Sequence, residues 1–234
     1  MVKSVSLYGY GTIAVALAAA CSPQGEANGT ARDSTTAVSI AAGPNEDTRP
    51  VVLFVGTSLT AGYGLTPTQA YPAIVQTKID SAGFDYQVVN AAVSGQTSAG
   101  ARSSIDWLLQ RPVAVMVIET GANDGLRGID PEELRNNIEA IIIRAQTQQP
   151  PPVIILAGME APPNLGRRYA NQFRALYGDV AREYDLQLIP FLLDGVAGLD
   201  SLNQADGIHP TAAGQLILAH HTWDVLGPVL AQEP

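Results

Sequence analysis

Cysteine occurs once in the 234 residues, at Cys21, so no intramolecular disulfide can brace the chain. Histidine occurs three times, and no cysteine cluster or second histidine stands at metal-ligand spacing from His209. No metal and no other cofactor is therefore expected. Positive charge is also scarce: 13 Lys and Arg face 22 Asp and Glu, for a net charge of -9. An acidic chain without a basic stripe has no attraction for phosphate backbones, which excludes nucleic acid as a partner. Aromatic residues are only 6% of the chain. The apolar stretch Val5 to Ala20 falls short of the roughly 20 residues that span a bilayer.

What is present divides the chain into three. Residues 1–21 read as an export signal. Lys3 supplies the positive start, Val5 to Ala20 is apolar or small apart from Ser6 and Thr12, and the stretch closes on Leu17-Ala18-Ala19-Ala20-Cys21. Small residues before a cysteine resemble a bacterial lipoprotein cleavage site. That reading makes Cys21 the lipidated residue and the protein a periplasmic or membrane-anchored lipoprotein. Leu17 lies one place further from Cys21 than is usual. Simple cleavage to a soluble exported form, or an uncleaved anchor, are the alternatives. Residues 22–50, rich in Ser, Thr, Gly, Ala, Asn and Pro, read as a flexible linker. Residues 51–234 are long enough for one domain. Nothing in the sequence specifies an oligomeric state.

Within that domain four apolar runs read as buried strands: Val51–Val55, Tyr86–Asn90, Val113–Glu119 and Val153–Ala157. A shorter one covers Gln187–Pro190. The first, third and fourth are nearly continuous in Val, Ile and Leu, the pattern of parallel strands covered on both faces. Helices alternate with them. Tyr71–Ala82 opens with Pro72 in its first turn, and Thr97 or Ser98 caps a helix to Leu109. Pro131 opens one that reaches about Gln148 with Leu134, Ile138, Ile141 and Ile142 on one face. Arg167–Tyr184 and Thr211–Leu226 complete the set. This alternation predicts an α/β fold, a doubly wound α/β/α sandwich on a five-stranded parallel sheet. Ligands in such sheets bind beyond the carboxyl ends of the strands, which directs attention to the loops there.

The loop after the first strand, Gly56-Thr57-Ser58-Leu59-Thr60-Ala61-Gly62, crowds small residues into a turn that can lift a serine hydroxyl above the sheet. A mere tight turn is the other reading. No Gly-Lys-Ser/Thr follows, so it is not a P-loop, and no G-x-S-x-G is present. Gly95, in the loop after the second strand, lets a ligand approach the backbone, or serves the turn alone. Asn123, after the third strand, offers an amide to a developing oxyanion, or caps a helix. His209 stands three places after Asp206, a spacing at which a carboxylate in a turn reaches the imidazole Nδ1. An exposed capping Asp beside an idle His is the alternative. Pro210 suits the first position of the helix that follows. His220 and His221 fall within that helix and read as packing or surface residues. The loop after the fourth strand carries Met159, Glu160, Ala161 and Pro162, an apolar lining suited to an acyl chain or aryl group, or a loop packed on its own core. Glu160 would oppose anionic substrates if it faces inward.

Taken together, Ser58, Gly95, Asn123, Asp206 and His209 fall on loops the fold gathers at one edge. In their order and spacing these blocks resemble those of the SGNH (GDSL-like) hydrolases, especially the thioesterase I/lysophospholipase and arylesterase branch, over nearly all of Val51–Leu230. The resemblance implies a flavodoxin-like fold. It implies a catalytic triad of Ser58, His209 and Asp206, and an oxyanion hole of the Ser58 and Gly95 amides with Asn123. It also implies a small-molecule acyl or aryl ester as substrate, with thioesters and lysophospholipids included. Gly166-Arg167-Arg168-Tyr169 resembles the segment after that branch's substrate-gating loop. One departure stands out: the family's usual Asp before the serine is Thr57. A carbohydrate O-deacetylase of the same family, or a non-catalytic binding lipoprotein, are the competing readings.

Overall fold

The computed structural model describes residues 47–232. The expectations for residues 1–21, for lipidation of Cys21 and for nearly all of the linker lie outside the described residues. Arg49 folds its guanidinium back onto the Asp47 carboxylate (2.6 Å) and donates to the Tyr86 carbonyl (3.3 Å). These contacts fasten the backbone just ahead of the first strand.

Five strands form one parallel sheet: β1 (Val51–Val55), β2 (Gln87–Asn90), β3 (Val115–Glu119), β4 (Val153–Ala157) and β5 (Gln187–Ile189). Their spatial order is β2-β1-β3-β4-β5. Register is fixed by pairs such as Val55 with Ile118 and Ile118 with Leu156. β1 and β3 are buried along their whole length, as continuous Val, Ile and Leu runs covered on both faces require. β2 corrects the sequence reading: it lies at the sheet edge and is half-buried to exposed. β3 begins at Val115 rather than Val113.

Seven α-helices are described: α1 (Ser58–Ala61), α2 (Tyr71–Ser81), α3 (Ser98–Leu108), α4 (Ala122–Arg127), α5 (Pro131–Ala145), α6 (Arg167–Glu183) and α7 (Ala212–Leu230). α2 packs with α7, and α5 packs with α3 and α6, giving a helical layer on each side of the sheet. α5 shows how the sequence sets an element. The Asp130 side chain accepts the Glu132 amide, Pro131 takes the first turn, and Glu132 and Glu133 complement the helix dipole. Leu134, Ile138, Ile141 and Ile142 are fully buried on the sheet-facing side. Truncating one of these to Ala removes about 2–5 kcal/mol. Two helices went unread in the sequence, α1 and α4, both too short for a periodic signal. At the other end α7 runs to Leu230, past the predicted Leu226, with Pro228 in its last turns.

The chain goes from β1 outward to β2, then crosses back to β3 on the other side of β1. The switch point between β1 and β3 is where such a sheet opens a crevice. Ser58 follows β1 and Asn123 follows β3, one on each side of it.

Candidate active site

Thr57 caps α1, its hydroxyl accepting the Leu59 amide (3.4 Å), and Gly62 closes the helix in the left-handed region at φ 68°. Ser58 is the first helical residue, so its N–H is directed out of the helix without an intrahelical acceptor. Below the turn lies the fully buried Glu119, the last residue of β3. Its Oε2 accepts the Thr57 amide (2.7 Å), the Thr57 hydroxyl (2.9 Å) and the Thr60 hydroxyl (2.8 Å). Because the Thr60 proton goes to Glu119, Tyr71 Oη donates to Thr60 Oγ (2.8 Å). Gln215 of α7 clamps the same turn, accepting the Tyr71 amide (2.8 Å) and donating to the Leu59 carbonyl (3.1 Å). Burial pushes the Glu119 carboxyl above the ordinary carboxylate range, and the donors around it pull the other way. Thr57, in place of the family's usual Asp, thus serves as a hydroxyl donor to a carboxylate that β3 supplies.

The His209 Nε2 lies 2.9 Å from Ser58 Oγ, and its Nδ1 lies 2.6 Å from Asp206 Oδ2. Asp206 Oδ1 accepts the Ile208 (2.9 Å) and His209 (3.0 Å) amides, so the turn that presents the histidine is wound around the carboxylate that orients it. The His209 amide, then the His209 side chain, then the Ile208 amide hold the Asp206 carboxyl well below its usual range. Gln204 joins the Ser58 and His209 loops. Its side chain donates to the Tyr63 carbonyl (2.7 Å) and the Pro210 carbonyl (3.0 Å), and its amide donates to the His209 carbonyl (2.7 Å). The Tyr63 ring lies against the imidazole, centroids 4.6 Å apart. Pro210 does not open α7, as the sequence suggested. It bridges Asn203, and Thr211 provides the cap.

Gly95 adopts φ 80°, and neither its amide nor that of Ser58 has a protein acceptor among the described residues. Asn123 sits in the first turn of α4 rather than capping it; Gly121 is the cap. Gly121 has φ 106°, and a Cβ there would meet Tyr177 Oη at 2.1 Å, so only glycine fits. One Asn123 amide hydrogen goes to the Gln96 carbonyl (3.0 Å), which leaves the other for a ligand. The next residue, Asp124, is buried and receives the Ser98 amide (2.9 Å) and hydroxyl (2.5 Å), tying α4 to α3. Ser98 in turn accepts from Asn137 of α5 (3.0 Å).

These groups share one cavity of about 830 Å³, lined by Ser58, Gly95, Asn123 and His209. Met159, Glu160, Ala161 and Pro162 line it too, as the sequence suggested. Leu126, Phe191 and Leu193 add apolar wall that was not foreseen. His220 and His221 stand apart: His220 pairs with Asp224 (3.5 Å) and His221 with the Leu192 carbonyl (3.0 Å). Sequence reading missed Glu119, Asp124, Gln204 and Gln215. A signal existed for Glu119, since a carboxylate closing a wholly apolar strand must find donors when buried.

Comparison with known proteins bears on this site. Residues 54–217 match the model of the GDSL-like lipase/acylhydrolase family. Esterase TesA of Pseudomonas aeruginosa is 41% identical over 180 residues, covering 76% of this chain and 89% of that protein. Thioesterase 1/protease 1/lysophospholipase L1 of Escherichia coli K12 is 34% identical over 182 residues, covering 76% and 84%. The crystal structure of the psychrotrophic esterase EstA from Pseudoalteromonas, inhibited by monoethylphosphonate, superposes with a TM-score of 0.72 at 31% identity. It covers 78% of this chain and 99% of that one.

Proposed function

Because the chain belongs to the GDSL-like lipase/acylhydrolase family and is a serine ester hydrolase, we propose that Ser58 is its nucleophile, His209 its base and Asp206 the residue that orients that base. The observation that carries the assignment is the relay Ser58 Oγ, His209 Nε2 (2.9 Å), His209 Nδ1, Asp206 Oδ2 (2.6 Å), whose serine and histidine line a largely apolar cavity. His209 takes the Ser58 proton as Oγ bonds to the ester carbonyl carbon. The carbonyl electron pair moves onto oxygen, which meets the Ser58 and Gly95 amides and the Asn123 side chain. Collapse of that adduct breaks the bond to the leaving group as His209 returns the proton. Water then attacks the acyl-Ser58 ester by the same roles, releasing the acid and the free serine.

The preferred substrates are short- to medium-chain acyl or aryl esters. Only Tyr63 and Phe191 bring phenyl rings to the wall among the described residues, which favours acyl chains over sugar rings and so disfavours O-deacetylation of glycans. Thioesters and lysophospholipids join the list through the names of the relatives. Replacing Ser58 or His209 by Ala lowers kcat by more than about 10³-fold, and Asn123→Ala lowers it about 10²–10³-fold. Near-normal turnover of para-nitrophenyl esters by the Ser58 variant refutes the assignment. Export with lipidation at Cys21 completes the reading. Metabolic labelling with an alkynyl fatty acid tests it, and labelling that persists in Cys21→Ser refutes it.

A further inference from the structure

Among the described residues that line the catalytic cavity, Glu160 is the one carboxylate, and neither lysine nor arginine is present. Glu160 follows the buried Met159 just after β4, and its side chain is 37% exposed. Arg174 of α6 reaches it from outside the wall: Arg174 Nη2 donates to Glu160 Oε1 at 2.8 Å while the arginine side chain stays 67% exposed. An ion pair this exposed adds little to stability. Its place is what matters. Glu160 lines the space an acyl substrate enters, whereas its counter-charge does not line it and is largely exposed. Arg127 also lies close to the site, at the Gly95 loop. It is committed to the Gly95 carbonyl (3.1 Å) and does not line the cavity.

Resting on the ester hydrolase reading above, we propose that Glu160 sets the charge preference of the site. It disfavours acyl groups that end in an anion, favours those that end in a cation, and Arg174 moderates the effect. A substrate charge within about 6 Å of Glu160, in a partly desolvated wall, changes reactivity by about tenfold. The sign follows for each partner. Without Glu160, Arg174 is left unmasked behind the wall and the preference shifts towards anions. Without Arg174, Glu160 acts at full strength and the preference for cations deepens. Without both, the preference collapses towards none.

The test is kcat/KM for para-nitrophenyl hexanoate, hemiadipate and aminohexanoate, which carry a neutral, anionic and cationic chain end, on the full chain. The ratio of aminohexanoate to hemiadipate exceeds one in the parent and shrinks as ionic strength rises. It falls about tenfold in Glu160→Gln, rises about threefold in Arg174→Gln, and approaches one in the double variant. Because each value is a ratio on one preparation, losses of folded protein cancel. A ratio constant within about twofold across the variants, or shifts of opposite sign, overturns the proposal. Failure of the parent to hydrolyse the neutral hexanoate ester refutes the hydrolase reading instead, so the two failures are separable.

Discussion

Two carboxylates serve one serine from opposite environments. Glu119 is fully buried under the Ser58 turn and is pushed up in pKa by its burial. Asp206 sits on an exposed loop, 39% accessible at its side chain, and is pulled down by the amides and imidazole it holds. Both accept three hydrogen bonds or more, yet the difference in solvent separates their tasks. A carboxylate without water must be satisfied by its protein donors, so Glu119 is bound into the packing of β1, β3 and α2. A carboxylate in contact with water costs little to leave unpaired, so Asp206 holds its own turn and orients His209 without being locked into the core. The buried carboxyl here positions the backbone of the site; the exposed one tunes its chemistry.

This contrast is most vulnerable at Asp206. Asp206→Asn keeps the shape of the turn but presents an amide N–H to Nδ1, which favours the wrong imidazole tautomer. A fall in kcat of about 10⁴-fold with a thermal midpoint close to the parent's is the expected result. A large loss of stability would show that Asp206 is a structural residue after all. Glu119→Ala should do the reverse. It orphans the Thr57 amide and two hydroxyls and costs about 3–5 kcal/mol in denaturant unfolding. Glu119→Gln keeps an acceptor and loses less. Linkage to pH adds a second readout. Because the folded Glu119 carboxyl titrates above its unfolded value, its contribution to stability is greatest below the unfolded value. It declines as pH rises through the window up to the folded one. Unfolding at stepped pH should lose that decline in Glu119→Gln. Asp206 has the opposite sign: its contribution is present above the ordinary carboxylate value and fades as pH falls through the lowered one. The smallest effect is expected at Gln204, which holds the Tyr63 and Pro210 carbonyls together. Gln204→Ala should cost about 1 kcal/mol and lower kcat several-fold by loosening the seat of His209, with both read from the same preparation.

How much of this was legible in the sequence follows the same division. Ser58, Asp206, His209, Gly95 and Asn123 could be read because each stands among turn-forming residues, on a loop or in the first turn of a short helix just after a strand, where its chemistry is locally conspicuous. The fully buried strands could be read because a short, continuous run of Val, Ile and Leu between turn residues suits a strand covered on both faces and little else. The contacts beneath the Ser58 turn could not, since Glu119, its partners Thr57 and Thr60, and Tyr71 beyond them come together only through the pairing of β1 with β3 and the packing of α2. Gln215 lies 144 residues from Tyr71, and nothing in the chain between them announces the contact. β2 was overrated because Tyr, Val and Val suit an edge strand as well as a central one; the neighbours decide burial. Glu160 was placed at the cavity by its position after β4, but its pairing with Arg174 depends on how α6 returns across that loop.

The most direct test is to expose the protein to a para-nitrophenyl alkylphosphonate and map the adduct by peptide mass spectrometry. A nucleophilic Ser58 primed by His209 gives a single modification, on the peptide carrying Ser58, formed much faster in the parent than in His209→Ala and absent in Ser58→Ala. Modification of a different serine, or a Ser58 labelling rate that ignores the loss of His209, would contradict it.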